Sequence, residues 1–249
     1  MGLEGRVALV TGAGGAGMGR SIALTLARDG ADIALNYRRA REAAAATAAA
    51  IEAMGRRALL VAADVGDAVS VDALVRETVE QLGTVDILVN SAGGPWKSQD
   101  VTEIEPEHLR RVIAREIEAT FYLLRAVLPG MRARGWGRVI SIGGHMADDW
   151  RFGPPDAPID YPLGKAARHW LTRTLAPRES GRGITINAIA PGPTPRASFE
   201  EALSALRGPR AAAAGNVPQD IADVAAFLCS DAAARVTGAV IPVPGATVV

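Results

Sequence analysis

The chain of 249 residues contains one cysteine, Cys229, so no disulfide can close within it and no cysteine-based metal spacing is present. A reducing, cytoplasmic setting is the expectation. Aromatic residues make up only 4%, which disfavours a base-stacking platform. Excess charge is missing as well: 27 lysines and arginines face 27 aspartates and glutamates, so neither a basic face for nucleic acid nor a polybasic membrane arm is implied. The first apolar run, Val7 to Val10, gives way at once to glycine and is too short for a signal peptide or a membrane span. Small molecules are left as the expected partners.

What the chain does have begins at Arg6 with R-V-A-L-V-T-G-A-G-G-A-G-M-G-R. A short apolar run, a glycine turn and then the helix-like S-I-A-L-T-L-A is the order a dinucleotide pyrophosphate requires. Small residues admit the phosphates, and free N–H groups at a helix start receive their charge. Further apolar runs at 33–35, 58–62, 87–89, 139–142, 184–189 and 239–243 read as buried strands. Helix-length stretches separate them at 21–28, 41–54, 69–82, 106–134, 163–178 and 221–230. This alternation predicts an α/β fold, a parallel sheet covered by helices on both faces, in a single domain spanning 1–249. The irregular stretches 93–101, 143–160 and 193–217 are the expected substrate loops.

At the end of the second strand stands N36-Y-R-R39, with no acid between Ile33 and Arg41. An acid here suits the ribose hydroxyls of NAD, whereas Arg38 and Arg39 suit the extra phosphate of NADP(H). The alternative is a solvated basic turn. Asp64, after the third strand, is placed to accept from an adenine amino group or to cap a helix. Tyr161 and Lys165 lie four apart on a helix and so share a face, where an ammonium can stabilise a phenolate. Tyr161 is therefore a candidate general acid. Of the 27 basic residues only Lys97 and Lys165 are lysine, which makes the second position notable.

Together these residues resemble the short-chain dehydrogenase/reductase family over nearly the whole chain. The matching elements are T11-G12 with G17-M-G19, Asp64-Val65, N90-S-A-G93, Y161-P-L-G-K165, P191-G192 and D220-I-A-D-V-A-A-F-L-C-S-D231 followed by T237-G238. The resemblance implies a Rossmann-type, doubly wound sheet, usually in a tetramer, moving hydride between a nicotinamide and a carbonyl or alcohol. Tyr161 would pass the proton, and Lys165 would bind ribose and lower the tyrosine pKa. Gly12, Gly17, Gly19, Arg38, Arg39, Asp64, Val65, Asn90, Ala92, Gly93, Pro191, Gly192 and Thr194 would line the cofactor. No metal site is implied.

Three departures stand out. The glycine turn is one residue longer than the family's pattern. The family's catalytic serine falls at Gly144, leaving neighbouring His145 as a candidate donor or a plain loop histidine. The family's helix asparagine falls at Glu116, which helical spacing turns inward with Val112, Thr120 and Leu123 while Arg111, Arg115 and Glu118 point outward. A buried carboxylate needs a partner, and Lys165 or a water bound to it is the candidate. Three functions follow: an NADPH-dependent reductase or dehydrogenase, a redox-silent isomerase, cyclase or dehydratase on the same scaffold, or a noncatalytic nucleotide binder. For the second, His145, Asp148, Asp149, Asp156 and Asp160 would supply acid and base groups.

Overall fold

The strand and helix runs assemble as the alternation predicts. A computed structural model describes residues 2–94, 100–145, 147, 160–207 and 215–245. Seven parallel strands form one sheet in the order β3-β2-β1-β4-β5-β6-β7, with β1 Val7–Val10, β2 Asp32–Tyr37, β3 Ala58–Ala62, β4 Ile87–Asn90, β5 Gly137–Ile142, β6 Ile184–Pro191 and β7 Val240–Val243. The order reverses between β1 and β4, and a crevice opens there beyond the carboxyl ends of the strands. The fold is a Rossmann-type doubly wound α/β sheet.

The reason is visible in β1. Ala8 and Val10 pack into one core and Val7 and Leu9 into the other, so alternating side chains feed opposite faces. Helices α1 (Met18–Arg28), α2 (Arg41–Ala53) and α8 (Pro218–Cys229) cover the first face. Helices α3 (Ala68–Leu82), α5 (Ala119–Arg134) and α6 (Asp160–Glu179) cover the second. Each fully buried leucine or isoleucine, such as Leu9, Ile22 or Leu74, contributes about 1.5–3 kcal/mol. The alanine-rich stretch is helix α2, whose Ala44, Ala48 and Ile51 are buried. Cys229 is buried too, and desolvation pushes its thiol up to about 12, so it is an inert packing group.

Two features were not foreseen. The stretch 106–134 is helical throughout but not uniform: α4 (Pro106–Ile113) passes through a π-helical turn, Ala114–Glu118, into α5. The segment 193–217, read as irregular, contains α7 (Phe199–Ala205), held by a capping box in which Ser198 and Glu201 bond each other's backbone N–H. The S-x-x-E spacing in the sequence is the signal for it. Helix α7 docks on the glycine turn through Ala197 N–H to the Ala16 carbonyl at 3.0 Å and Arg20 over the Phe199 ring.

Beneath the site, α5 and α6 are clamped by Arg132 and Arg182 on the buried Glu179 carboxylate. Hydrogen bonds from Arg132 hold its carboxyl below the usual carboxylate range, outweighing desolvation. A depressed carboxyl stabilises the fold above its unfolded pKa, and that contribution is lost as pH falls through the folded value. Glu179→Gln is accordingly expected to cost about 1–2 kcal/mol at pH 7 in urea unfolding, with the difference from the parent fading below about pH 4. An undiminished difference in acid sinks this account.

Candidate active site

The turn after β1 is tied to β4 before anything binds. Thr11 Oγ accepts the N–H groups of Ser91 and Ala92, both at 3.0 Å. Gly12 has φ +66, and a Cβ on it would lie 2.9 Å from the Ala92 Cα, so both its conformation and its space require glycine. Helix α1 then starts at Gly17 with no side-chain cap and no acid in its first turn, which leaves its N–H groups for an anion.

This turn forms one wall of a cavity of about 420 Å³, bordered also by Asn36, Arg38, Asp64, Val65, Ala92, Gly93, Arg115 and Arg196. Among these described residues three arginines face one aspartate. Burial and the neighbouring Arg38 charge both push the Arg115 guanidinium down, so this group gains from an anion. Arg38 Nη1 bonds Asp64 Oδ2 at 3.1 Å, while Asp64 Oδ1 accepts Gly66 N–H. Desolvation raises the Asp64 carboxyl, but Gly66 and Arg38 bring it below its ordinary value. Asp64 is not the cap of α3; Asp67 is, accepting Ser70 N–H at 2.8 Å. Arg39 is exposed and does not border the cavity.

The arrangement fits a dinucleotide: an open helix N-terminus for the pyrophosphate, in a cleft bordered by arginines. Asn90 serves it indirectly. Its side chain donates to Thr120 Oγ1 at 2.6 Å and so joins β4 to α5. Arg115 and Arg196 were missed in the sequence. Arg115 was placed on the outer face by regular α spacing, and the π turn brings it to the cavity wall instead.

Met18 borders this cavity and a second one of about 550 Å³, whose other described lining residues are Gly143, Gly144, His145, Tyr161, Pro191, Gly192, Pro193 and Thr194. Tyr161 and His145 thus face the same space, and His145 is held by its N–H to the Pro191 carbonyl at 3.0 Å. Gly144 has little room for a side chain: a Cβ there would press on Lys165 Cβ and Cγ at 3.2 and 3.1 Å. Beside it the space over Gly143 is taken by buried His169, whose Nε2 accepts Gly144 N–H at 3.4 Å. Asp160 does not face the cavity chemistry, because it pairs with His108 Nε2 at 2.8 Å and caps Tyr161 N–H. Trp96, Asp148, Asp149, Trp150, Phe152 and Asp156 lie outside the described residues.

Behind Tyr161 sits a buried charge cluster. Lys165 Nζ is 3.0 Å from Glu116 Oε2, donates to the Ile142 carbonyl at 3.3 Å and lies 5.2 Å from the Tyr161 ring centre. Arg168, fully buried, reaches the same Glu116 oxygen at 2.9 Å. The other Glu116 oxygen accepts Gly94 N–H at 2.7 Å. The inward orientation of Glu116 and its Lys165 partner match expectation. Arg168 was not anticipated, since an arginine three residues after a helical lysine reads as surface.

The cluster corrects the expected electrostatics of Tyr161. Desolvation and the Glu116 charge push its phenol up, against a smaller lowering by Arg168, rather than down under Lys165. Lys165 is itself lowered to about 8 by desolvation and by Arg168, with Glu116 opposing. Its ammonium is paired with the Glu116 carboxylate. Tyr161 therefore keeps its phenol protonated across the physiological range.

Comparison with known proteins agrees with this geometry. A family described as enoyl-(acyl carrier protein) reductase matches residues 12–245. The chain is 34% identical over 242 residues to the 3-oxoacyl-(acyl-carrier-protein) reductase FabG of Staphylococcus aureus, covering 96% of each chain. Among solved structures it resembles a blue fluorescent protein from a metagenomic library in complex with NADPH, at 34% identity and TM-score 0.85 over 100% of both chains. An NAD+-bound xylitol dehydrogenase gives 28% identity and TM-score 0.84, covering 97% of this chain and 98% of that one. The order of the motifs, the sheet and these matches place the chain in the short-chain dehydrogenase/reductase family of NAD(P)-dependent oxidoreductases.

Proposed function

We propose that the protein is an NADPH-dependent carbonyl reductase, or the matching alcohol dehydrogenase, acting on a small or acyl-type substrate. The observation that carries this reading is the neutral phenol of Tyr161 in the wall of a cavity that shares Met18 with the arginine-bordered dinucleotide cleft. Gly12, Gly17, Gly19, Ala92 and Gly93 would receive the pyrophosphate side of the cofactor, and Arg38 with Arg115 its additional phosphate. The relatives' named cofactors include both NADPH and NAD+, so the preference for NADP(H) rests on these arginines and on the absence of an acid after β2. When bound, the nicotinamide supplies the hydride.

The chain's own residues supply the rest. Tyr161 donates its proton to the substrate oxygen as negative charge develops there. In place of the serine hydroxyl missing at Gly144, His145, which lines the same cavity, orients that oxygen. Lys165, paired with Glu116, places its ammonium beside the Tyr161 ring. The redox-silent alternative loses the support of Asp160, which is engaged by His108.

The test is to incubate the protein with NADPH and a panel of ketones, enones and keto-thioesters, following cofactor oxidation and product mass together. Reduction adds two hydrogens to the product, and an unchanged mass from a consumed substrate overturns the proposal. A homo-oligomer belongs to the same proposal. It is supported by exposed Phe121 on α5 and exposed Leu163 and Trp170 on α6, and sedimentation at the mass of one chain at micromolar concentration would remove it.

A further inference from the structure

The Glu116 carboxylate occupies a slot made for it. A Cβ on Gly93 would meet Glu116 Oε1, and one on Gly164 would meet Glu116 Cβ and Cγ at 2.5 and 2.7 Å, so two glycines on separate elements clear its path. The slot is closed by Arg168, whose guanidinium donates to the carbonyls of Asn90 at 3.2 Å, Ile142 at 2.9 Å and Glu116 and Arg115 at 3.3 Å, and to that of Ala92. These acceptors are the exits of β4 and β5 and the π turn. Widening of the helix at the π turn presents the Arg115 and Glu116 carbonyls sideways, where Arg168 takes them up.

We propose that Glu116 and Arg168 act as one charge-compensated unit that fixes where the Lys165 ammonium sits, Arg168 being a positioning residue that acts on the site only through Glu116 and Lys165. Each member serves a different need. Without Glu116, two buried cations would stand side by side. Without Arg168, Glu116 would still neutralise Lys165, but five carbonyls would lose their donor. Removing one member of a buried ion cluster is costly, whereas replacing the charges together by neutral groups of similar size is mild. Among the described residues Lys165 is faced by Glu116 from the π turn and by Tyr161 and Arg168 on α6; His169 lies against Gly143, His145 follows Gly144, on which Lys165 packs, and Asp160 and His108 pair near the start of α6. Of these, Glu116 raises the lysine and Arg168 lowers it.

The experiment uses the near absence of lysine. With only Lys97 and Lys165 in the chain, protein grown on 13C-labelled lysine gives two side-chain NMR signals, and Lys97→Arg assigns them. Glu116→Gln is expected to move the Lys165 titration to lower pH and Arg168→Met to higher pH, each by about one unit or more, with the Glu116→Gln/Arg168→Met variant between them. The two single variants are expected to melt about 10 °C lower, and the double variant to lose less than the sum of the two, because Glu116→Gln then leaves one buried cation uncompensated and not two. If Arg168→Met does not fold, the Lys165 titration in Glu116→Gln carries the test, and a titration that stays put there overturns the proposal. The proposal is overturned if the Lys165 titration stays put or moves the same way in both single variants, or if the double variant is as unstable as the sum of the singles. This inference deepens the catalytic reading through kcat alone: the pH limb of kcat should shift in the same opposed directions. The NMR titration needs no turnover, so opposed shifts without carbonyl reduction would remove the proposed function and leave this unit standing.

Discussion

Replacing Tyr161 by phenylalanine is expected to lower kcat for NADPH-driven carbonyl reduction by about 10²–10⁴-fold, the usual contribution of a positioned general acid. The ring stays, so the wall of the cavity and the contact with Lys165 stay, and NADPH binding followed by fluorescence should be nearly unchanged. The loss should also be even across pH 6 to 9. Desolvation and Glu116 hold the phenol above its ordinary value, so it is protonated throughout this range and contributes equally at each pH. Loss of NADPH affinity in step with kcat would make Tyr161 a binding residue. Unchanged turnover would remove the assignment altogether.

The second large effect concerns the cofactor. Arg38→Ala is expected to weaken NADPH about 10–100-fold while changing NADH little, as charge-assisted hydrogen bonds to a phosphate contribute about 1.5–3 kcal/mol. Two features set the sign. Arg38 is the bonded partner of Asp64, and without it that carboxylate, held below its ordinary value partly by Arg38, faces the phosphate unscreened. Arg115 also borders this cavity and keeps the binding measurable. Titration of both nucleotides into parent and variant checks this. Equal losses for NADPH and NADH would show that Arg38 senses the common part of the cofactor, and the proposed preference for NADP(H) would fall.

The parts legible in the sequence were those written in a local code. The strand Val7–Val10 is apolar on both faces because both faces are covered, and it and Ala58–Ala62 stand where the runs placed them. Tyr161 and Lys165 declared themselves by helical spacing, and Glu116 by its inward phase. Three things were not local. Arg168 is buried only because strand exits and a π turn, remote in sequence, offer it carbonyls. The raised phenol of Tyr161 depends on the same remote carboxylate that claims Lys165, so the spacing of four residues alone gave the wrong direction. Arg115 was read on an ideal α-helix, and a π turn breaks that ruler. Helix α7, by contrast, was readable: its S-x-x-E box stands in the sequence.

The π turn at Ala114–Glu118 has one more consequence. An α-helix advances about 100° per residue, and a wider turn advances less, so across five residues the second half lags the first by roughly one residue's rotation. Before the turn, α4 buries no residue; after it, Ala119, Leu123, Val127 and Met131 form a sealed seam against the sheet. The wide turn thus acts as a phase adjuster. It lets Arg115 reach the cleft and Glu116 point inward without dragging that seam out of register. Shortening the turn by one residue would swing the carboxylate by about 100° relative to α5, so the ionic cluster and the apolar seam are tuned by separate parts of one helix.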